Sequence, residues 1–335
     1  MTRSIPQLIS LCAVGLGILL FVYTLVTIDL QDTVASAARL GLALPLILLP
    51  GTAWHLLRTW GWSVSFPDDS RPTFTRLFRA RLASDAVSFF TVRGVASEPL
   101  RVVLLVDRCA PEVTAAACAL ERLAFAVMNT LIAGLISYFA VTRLSMPRLW
   151  DTLFTLLSIA AVIVLPLLAF IARRRTGDFL GRLVTAIDRH TGRHLEASRV
   201  VRFILGVEDV LLELLRGNRR RLLILAGLPL VCFALMVLEV WLVFWAIGQP
   251  IGLMQGLAIE TFARLASVAS AFIPANVGAL EASNAGVVTM LGLAGGGSLA
   301  LARRIRALLW AGLGLAVYPQ PTAHSRKAQG SRPEA

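Results

Sequence analysis

The stretch AFIPANVGALEAS, Ala271 to Ser283, has a weaker echo in FFTVRGVASEPLR, Phe89 to Arg101. Each is an apolar approach that breaks at small or helix-incompatible residues and then presents a carboxylate, Glu281 in one and Glu98 in the other. Backbone that leaves the helix at bilayer depth must be buried in protein or line a cavity, because lipid offers it no hydrogen-bond partners. An ionisable group at that depth points to function. A matched pair in the two halves of a chain points to a transporter-type site. Laying Glu98 over Glu281 brings Phe89 onto Phe272, Thr91 onto Pro274, Arg93 onto Asn276 and Ala96 onto Ala279, as expected of an internal repeat.

The surroundings of both stretches are membrane-like. The 335 residues are 57% hydrophobic and 16% charged, which is too apolar for an ordinary soluble domain. Leu8 to Ile28 and Thr152 to Ala172 are uncharged runs of 21 residues, each matching the roughly 20 needed to cross a ~30 Å hydrocarbon core. The first has no clear cleavage pattern after it and reads as a retained helix. The net charge of +12 sits between apolar spans rather than in a basic soluble domain. It therefore reports topology and headgroup attraction, and nucleic acid is not expected as a partner. Cys12, Cys109, Cys118 and Cys232 lack metal-ligand spacing and read as small core residues. His190 and His194 share a helical face without a third ligand, so neither a metal nor another cofactor is expected.

Taken in order, spans are expected at about 8–28, 40–57, 113–142, 152–172, 222–247 and 299–317, the third carrying Glu121 and Arg122 at its cytoplasmic end. An amphipathic helix is expected near Thr73 to Val87 and a short helix from about Pro99. Trp54, Trp60 and Trp62 suit an interface belt, with Arg58 at the end of the second span. The segment 173–221 holds 12 Arg against six acids and is assigned to the cytoplasm, with apolar residues at helical spacing that suit the membrane surface. The fold expected is an all-α polytopic membrane protein of about six full transmembrane helices plus two re-entrant broken helices, arranged as an inverted repeat. The membrane domain covers 1–318, in halves of about 1–175 and 176–318, and 319–335 is a disordered polar tail. Four crossings before the basic segment put the N-terminus in the cytoplasm, in a bacterial inner membrane. Arg303, Arg304 and Arg306 fit this badly. Either they face an internal cavity, or the second broken segment crosses fully and the C-terminal topology is reversed.

SEPLR at Ser97 to Arg101, the Glu121-Arg122 pair and FIPANVGALEAS at Phe272 to Ser283 carry a family likeness. The chain resembles flippase-like membrane proteins related to the transmembrane portion of lysylphosphatidylglycerol synthases, most of all the branch associated with hopanoid biosynthesis. The resemblance runs from Leu8 to about Val317. It departs at Val92, where Pro is usual, and at Ala96 and Ser97, where Gly is usual. It implies a role in handling a lipid across the bilayer. The soluble aminoacyl-transferring domain has no counterpart in the sequence, so lipid aminoacylation is not implied.

The candidate substrate-binding residues are Arg93, Glu98, Arg101, Glu121, Arg122, Glu260, Arg264, Pro274, Asn276, Gly278, Glu281 and Asn284. A headgroup crossing hydrocarbon needs replacement partners, and Arg for phosphate with Glu for amine or hydroxyl would supply them. Glu98 and Glu281 are expected to face one cavity. Against this, Glu121-Arg122 and the i,i+4 pair Glu260-Arg264 read equally well as ion pairs stapling helices. Close helix packing is the lesser reading of Gly278 and Pro274, and Glu239 reads as a hydrogen-bonded packing residue. No catalytic constellation clusters at one depth, so an enzyme is not expected. The reading is a lipid flippase or transporter, with a membrane lipid as partner. The alternative is a non-catalytic scaffold for lipid-modifying enzymes of hopanoid biosynthesis.

Overall fold

The computed structural model describes residues 40–90, 97–145, 147–173, 198–217, 219–269 and 279–318. All regular structure among them is helical. A 3-10 turn at Gly41–Ala43 leads into α1, Leu44–Val64, and Pro45 fits in the first turn of α1, where its missing N–H leaves nothing unpaired. Then come α2, Phe74–Phe90; α3, Ser97–Leu105; α4, Pro111–Arg143; and α5, Arg148–Arg173. The second half contributes α6, Arg199–Gly217; α7, Arg219–Ala246; α8, Leu253–Ala269; α9, Ala279–Met290; and α10, Gly296–Ala316. The expected first span, the two breaks and the polar tail lie outside the described residues, as does most of the basic segment 173–221. Among the helices that flank the breaks, α2 packs on α3 as α8 packs on α9.

Two helices among the described residues, α4 and α7, are long and apolar enough to cross a bilayer. α10 is 21 residues long but carries Arg303, Arg304 and Arg306, which interrupt its apolar run. α4 and α7 pack on each other. α4 also meets α3, α5, α6 and α8, and α7 meets α1, α8 and α10. The closest crossings are set by glycine. A Cβ on Gly314 of α10 would run into the Leu82 carbonyl and the Ala86 methyl of α2. One on Gly134 of α4 would run into Ala161 of α5, whose neighbour Ser158 donates to the Gly134 carbonyl at 3.2 Å. Such small-residue contacts are how helices approach where lipid removes the hydrophobic drive to associate.

The outward faces are apolar. Leu149, Leu153, Leu156, Ile159 and Ile163 recur along one face of α5, and Leu223, Leu230, Leu238, Trp241 and Trp245 project from α7. A soluble monomer rarely exposes so continuous an apolar surface, whereas hydrocarbon solvates it.

Three local expectations need correction. α1 does not end before Arg58 but runs on to Val64, because the Arg58 guanidinium is met inside the bundle by Glu121 and Phe125 and needs no helix end in water. Glu121 sits well inside the 33-residue α4 rather than at its end. The apolar stripe of α6 (Val207, Val210, Leu211 and Leu214) packs against Ala116, Leu120, Leu222 and Leu225, so it is covered by protein rather than resting on a membrane surface.

Candidate functional site

The bundle encloses an ionic array in two connected parts. The first lies among α1 to α4. Glu121, 1% exposed, takes Arg58 Nε at 2.8 Å and Arg81 Nη1 at 3.5 Å on its Oε1. Arg81 also donates to the Arg58 carbonyl at 2.9 Å. Arg101 donates to Asp85 at 2.6 Å and to Ser84 Oγ at 3.0 Å, and its guanidinium lies 5.2 Å from the centre of the Trp62 ring. Arg58 lies 3.9 Å from the centre of the Phe125 ring and 5.4 Å from that of Trp54. Stacking of this kind holds a guanidinium flat while leaving its N–H edge free to bind.

The second part lies among α4 and α7 to α10. Glu260 takes Arg264 on one oxygen at 2.8 Å and Arg303 on the other at 2.6 Å. Arg264 reaches on to Asn129 of α4 at 3.0 Å, and Arg303 to Asn284 of α9 at 2.7 Å. Arg306 of α10 pairs with Glu239 of α7, and its stem covers Gly51 of α1, where a Cβ would displace it. His55 joins the two parts. It lies on α1 one turn before Arg58, its ring centre 4.2 Å from that of Trp310 on α10. It is therefore packed between α1 and α10.

Of the sequence candidates, Arg101, Glu121, Glu260, Arg264 and Asn284 enter this array. Glu98 and Arg122 pair with each other on its outer side, where Arg122 is more than half exposed. Glu121 and Arg122 are neighbours in sequence, but successive side chains point about 100° apart around a helix, and each is matched to a different helix. The i,i+4 pair Glu260-Arg264 forms as expected and is extended by Arg303. Arg93, Pro274, Asn276 and Gly278 lie outside the described residues, as does the side chain of Glu281. The meeting of Glu98 with Glu281 therefore lies outside them too.

Sequence reasoning missed Arg58, Arg81, Asp85, Arg303 and Arg306 as site residues. The clue for the last two was present, since three arginines at the expected outer end of a span fit badly, and one of the two readings of them turned them inward. Arg303 and Arg304 are buried, so the internal placement is the one found. Cys109, Cys118 and Cys232 are buried free thiols, and no cluster among the described residues would hold a metal.

α2 and α8 each carry a charged i,i+4 pair, Arg81 and Asp85 on one, Glu260 and Arg264 on the other. The register that lays Glu98 over Glu281 puts Arg81 on Arg264. Arg81 reaches α4, and Glu260 reaches α10.

Residues 8–316 match the profile of the lysylphosphatidylglycerol synthase TM region. The chain belongs to that family. With its apolar helices, this makes it a membrane protein with a lipid-related role. Comparison with curated proteins and with solved structures gave no match.

Proposed function

We propose that this member of the family moves a polar-headed lipid between the leaflets of the bacterial inner membrane, without altering it chemically. In this reading the bundle is polytopic, with about six crossings, two re-entrant elements at α2/α3 and α8/α9, and a cytoplasmic N-terminus. The observation that carries it is the buried ionic array. Charges at membrane depth are expensive and mark substrate or ion pathways. Well-packed apolar residues would hold the helices as well as buried ion pairs do. The array instead supplies what a headgroup loses on leaving water, guanidinium groups for phosphate and carboxylates for amine or hydroxyl. The acyl chains stay in lipid against the apolar outer faces. The near-equivalence of α2 and α8 supports an inverted repeat, the arrangement that lets one site be reached from either side. The sequence holds no nucleotide motif, so the lipid's own gradient or an ion gradient would drive the movement.

The test is leaflet exchange of a fluorescent lipid in liposomes containing the purified chain, comparing wild type with Glu121→Gln and Arg264→Gln after gel filtration has established that each is folded. Wild type is expected to exceed protein-free vesicles and each variant to lose about tenfold or more, the cost of one charge-assisted hydrogen bond. Wild-type rates no faster than protein-free vesicles would overturn transport and leave a scaffold for lipid-modifying enzymes.

A further inference from the structure

Most carboxylates of the array are fully engaged. Glu260 holds a guanidinium on each oxygen, Asp85 meets Arg101 and Arg81, and Glu121 meets Arg58 and Arg81. Glu239 differs. It is 1% exposed and gives Oε2 to Arg306, whereas its buried Oε1 has no hydrogen-bond partner. No other buried carboxylate oxygen among the described residues is left in that way. The bonded half of Glu239 suits a packing residue, and the other half does not. A charged oxygen shut away from water without a donor bears its desolvation cost uncompensated. A proton removes that cost, and it needs no cavity to bind.

The neighbours of Glu239 tie its charge to the packing of three helices. α7 packs against α1, α4, α8 and α10. α10 presents Arg303 and Arg306 to Glu239, and α8 presents Glu260, itself held by Arg264. α4 adds the neutral Asn129, bonded to Arg264, and α1 adds His55, which lies in the field of Arg306. Arg306 is the link between α7 and α1. Its guanidinium is paired with Glu239 and lies 2.9 Å from Met236 Sδ, while its stem crosses Gly51. Gly51 follows Pro50, whose missing N–H deprives the Leu46 carbonyl of its helical donor, so α1 bends most readily there.

We propose that Glu239 is a reversible proton-binding site, and that its occupancy couples a proton gradient to movement of α10 against α1 and α7. The inference rests on the transport reading and supplies its driving ion. A proton leaves hydronium for Oε1, one O–H bond forming as another breaks, and later returns to water on the opposite side; no electron is gained or lost. While Glu239 is charged, Arg306 is fixed to α7. Once it is neutral, Arg306 keeps only an uncharged acceptor, and α10 is released beside the bend in α1.

Two measurements on the full chain test this. In detergent, infrared difference spectra taken as pH is lowered report the carbonyl stretch of protonated carboxyl groups. A band present in wild type, absent in Glu239→Gln and displaced in Glu239→Asp is expected. In liposomes, exchange of the fluorescent lipid is followed over the same pH range and under an imposed pH gradient, with internal pyranine reporting proton entry. The wild-type rate should change by about fivefold or more, the scale of ordinary coupling between two bound ligands. Glu239→Gln should give a flat pH profile whatever its absolute rate, Glu239→Asp a displaced one, and His55→Gln one of wild-type shape. A band that survives Glu239→Gln, a profile that Glu239→Gln leaves intact, or one that His55→Gln abolishes would overturn the proposal. The band is read without transport. Its presence with no exchange in liposomes sinks the transport reading alone, and exchange at a pH-independent rate sinks proton coupling alone.

Discussion

Glu260 is the most consequential single carboxylate in the bundle. Its two oxygens each hold a guanidinium, Arg264 at 2.8 Å and Arg303 at 2.6 Å, and its side chain is 6% exposed. Glu260→Leu leaves Arg303 buried, with the Asn284 amide oxygen as its one remaining acceptor among those located. Removing one partner of a buried ion pair costs about 3–5 kcal/mol, because the other charge stays desolvated. Arg264 is better placed, since Asn129 and the face of Phe233, 4.8 Å away, still receive it. The loss should therefore fall at the Arg303 side. Glu260→Gln keeps an acceptor and loses only the charge, so about half that cost is expected. Pairing Glu260→Leu with Arg303→Met removes both charges and should recover most of the stability. The assay is equilibrium unfolding of the purified chain in mixed micelles, followed through Trp fluorescence, as a double-mutant cycle. A loss under about 1 kcal/mol for Glu260→Leu, or a double mutant no better than the single, would refute the claim that Glu260 neutralises Arg303 in the interior.

Two further outcomes test the geometry. Gly314→Leu should part α10 from α2, since even a Cβ there meets the Leu82 carbonyl; a cost of about 1–3 kcal/mol or more is expected in the same unfolding assay. Arg122→Ala, by contrast, removes a pair on the outer side of the array and should cost about 1 kcal/mol or less, falling further as salt is raised.

The helical class and the approximate helix positions were legible because apolar run length and the flanking arginines are local signals. The interior array was legible only in part. Glu260 and Arg264 advertise themselves by i,i+4 spacing, whereas Arg58 and Glu121 are 63 positions apart and meet only through packing of α1 on α4. A lone arginine in an apolar run looks, from sequence, like the end of a span. Nothing local distinguishes one that turns to a carboxylate inside. The opposite fates of Glu121 and Arg122 follow from helical rotation, which becomes readable once the packed face of α4 is known.

The buried charges on α2 and α8 bear on how the chain assembles. Hydrocarbon contacts alone scarcely tell one apolar helix from another in a bilayer, so a newly inserted α8 has little to steer it. Its Glu260 is drawn to Arg303 of α10 and repelled by Glu121 of α4, the carboxylate that Arg81 of α2 uses. Like charges brought together away from water are strongly penalised. Charges of opposite sign therefore give each of the two helices its own lock and key.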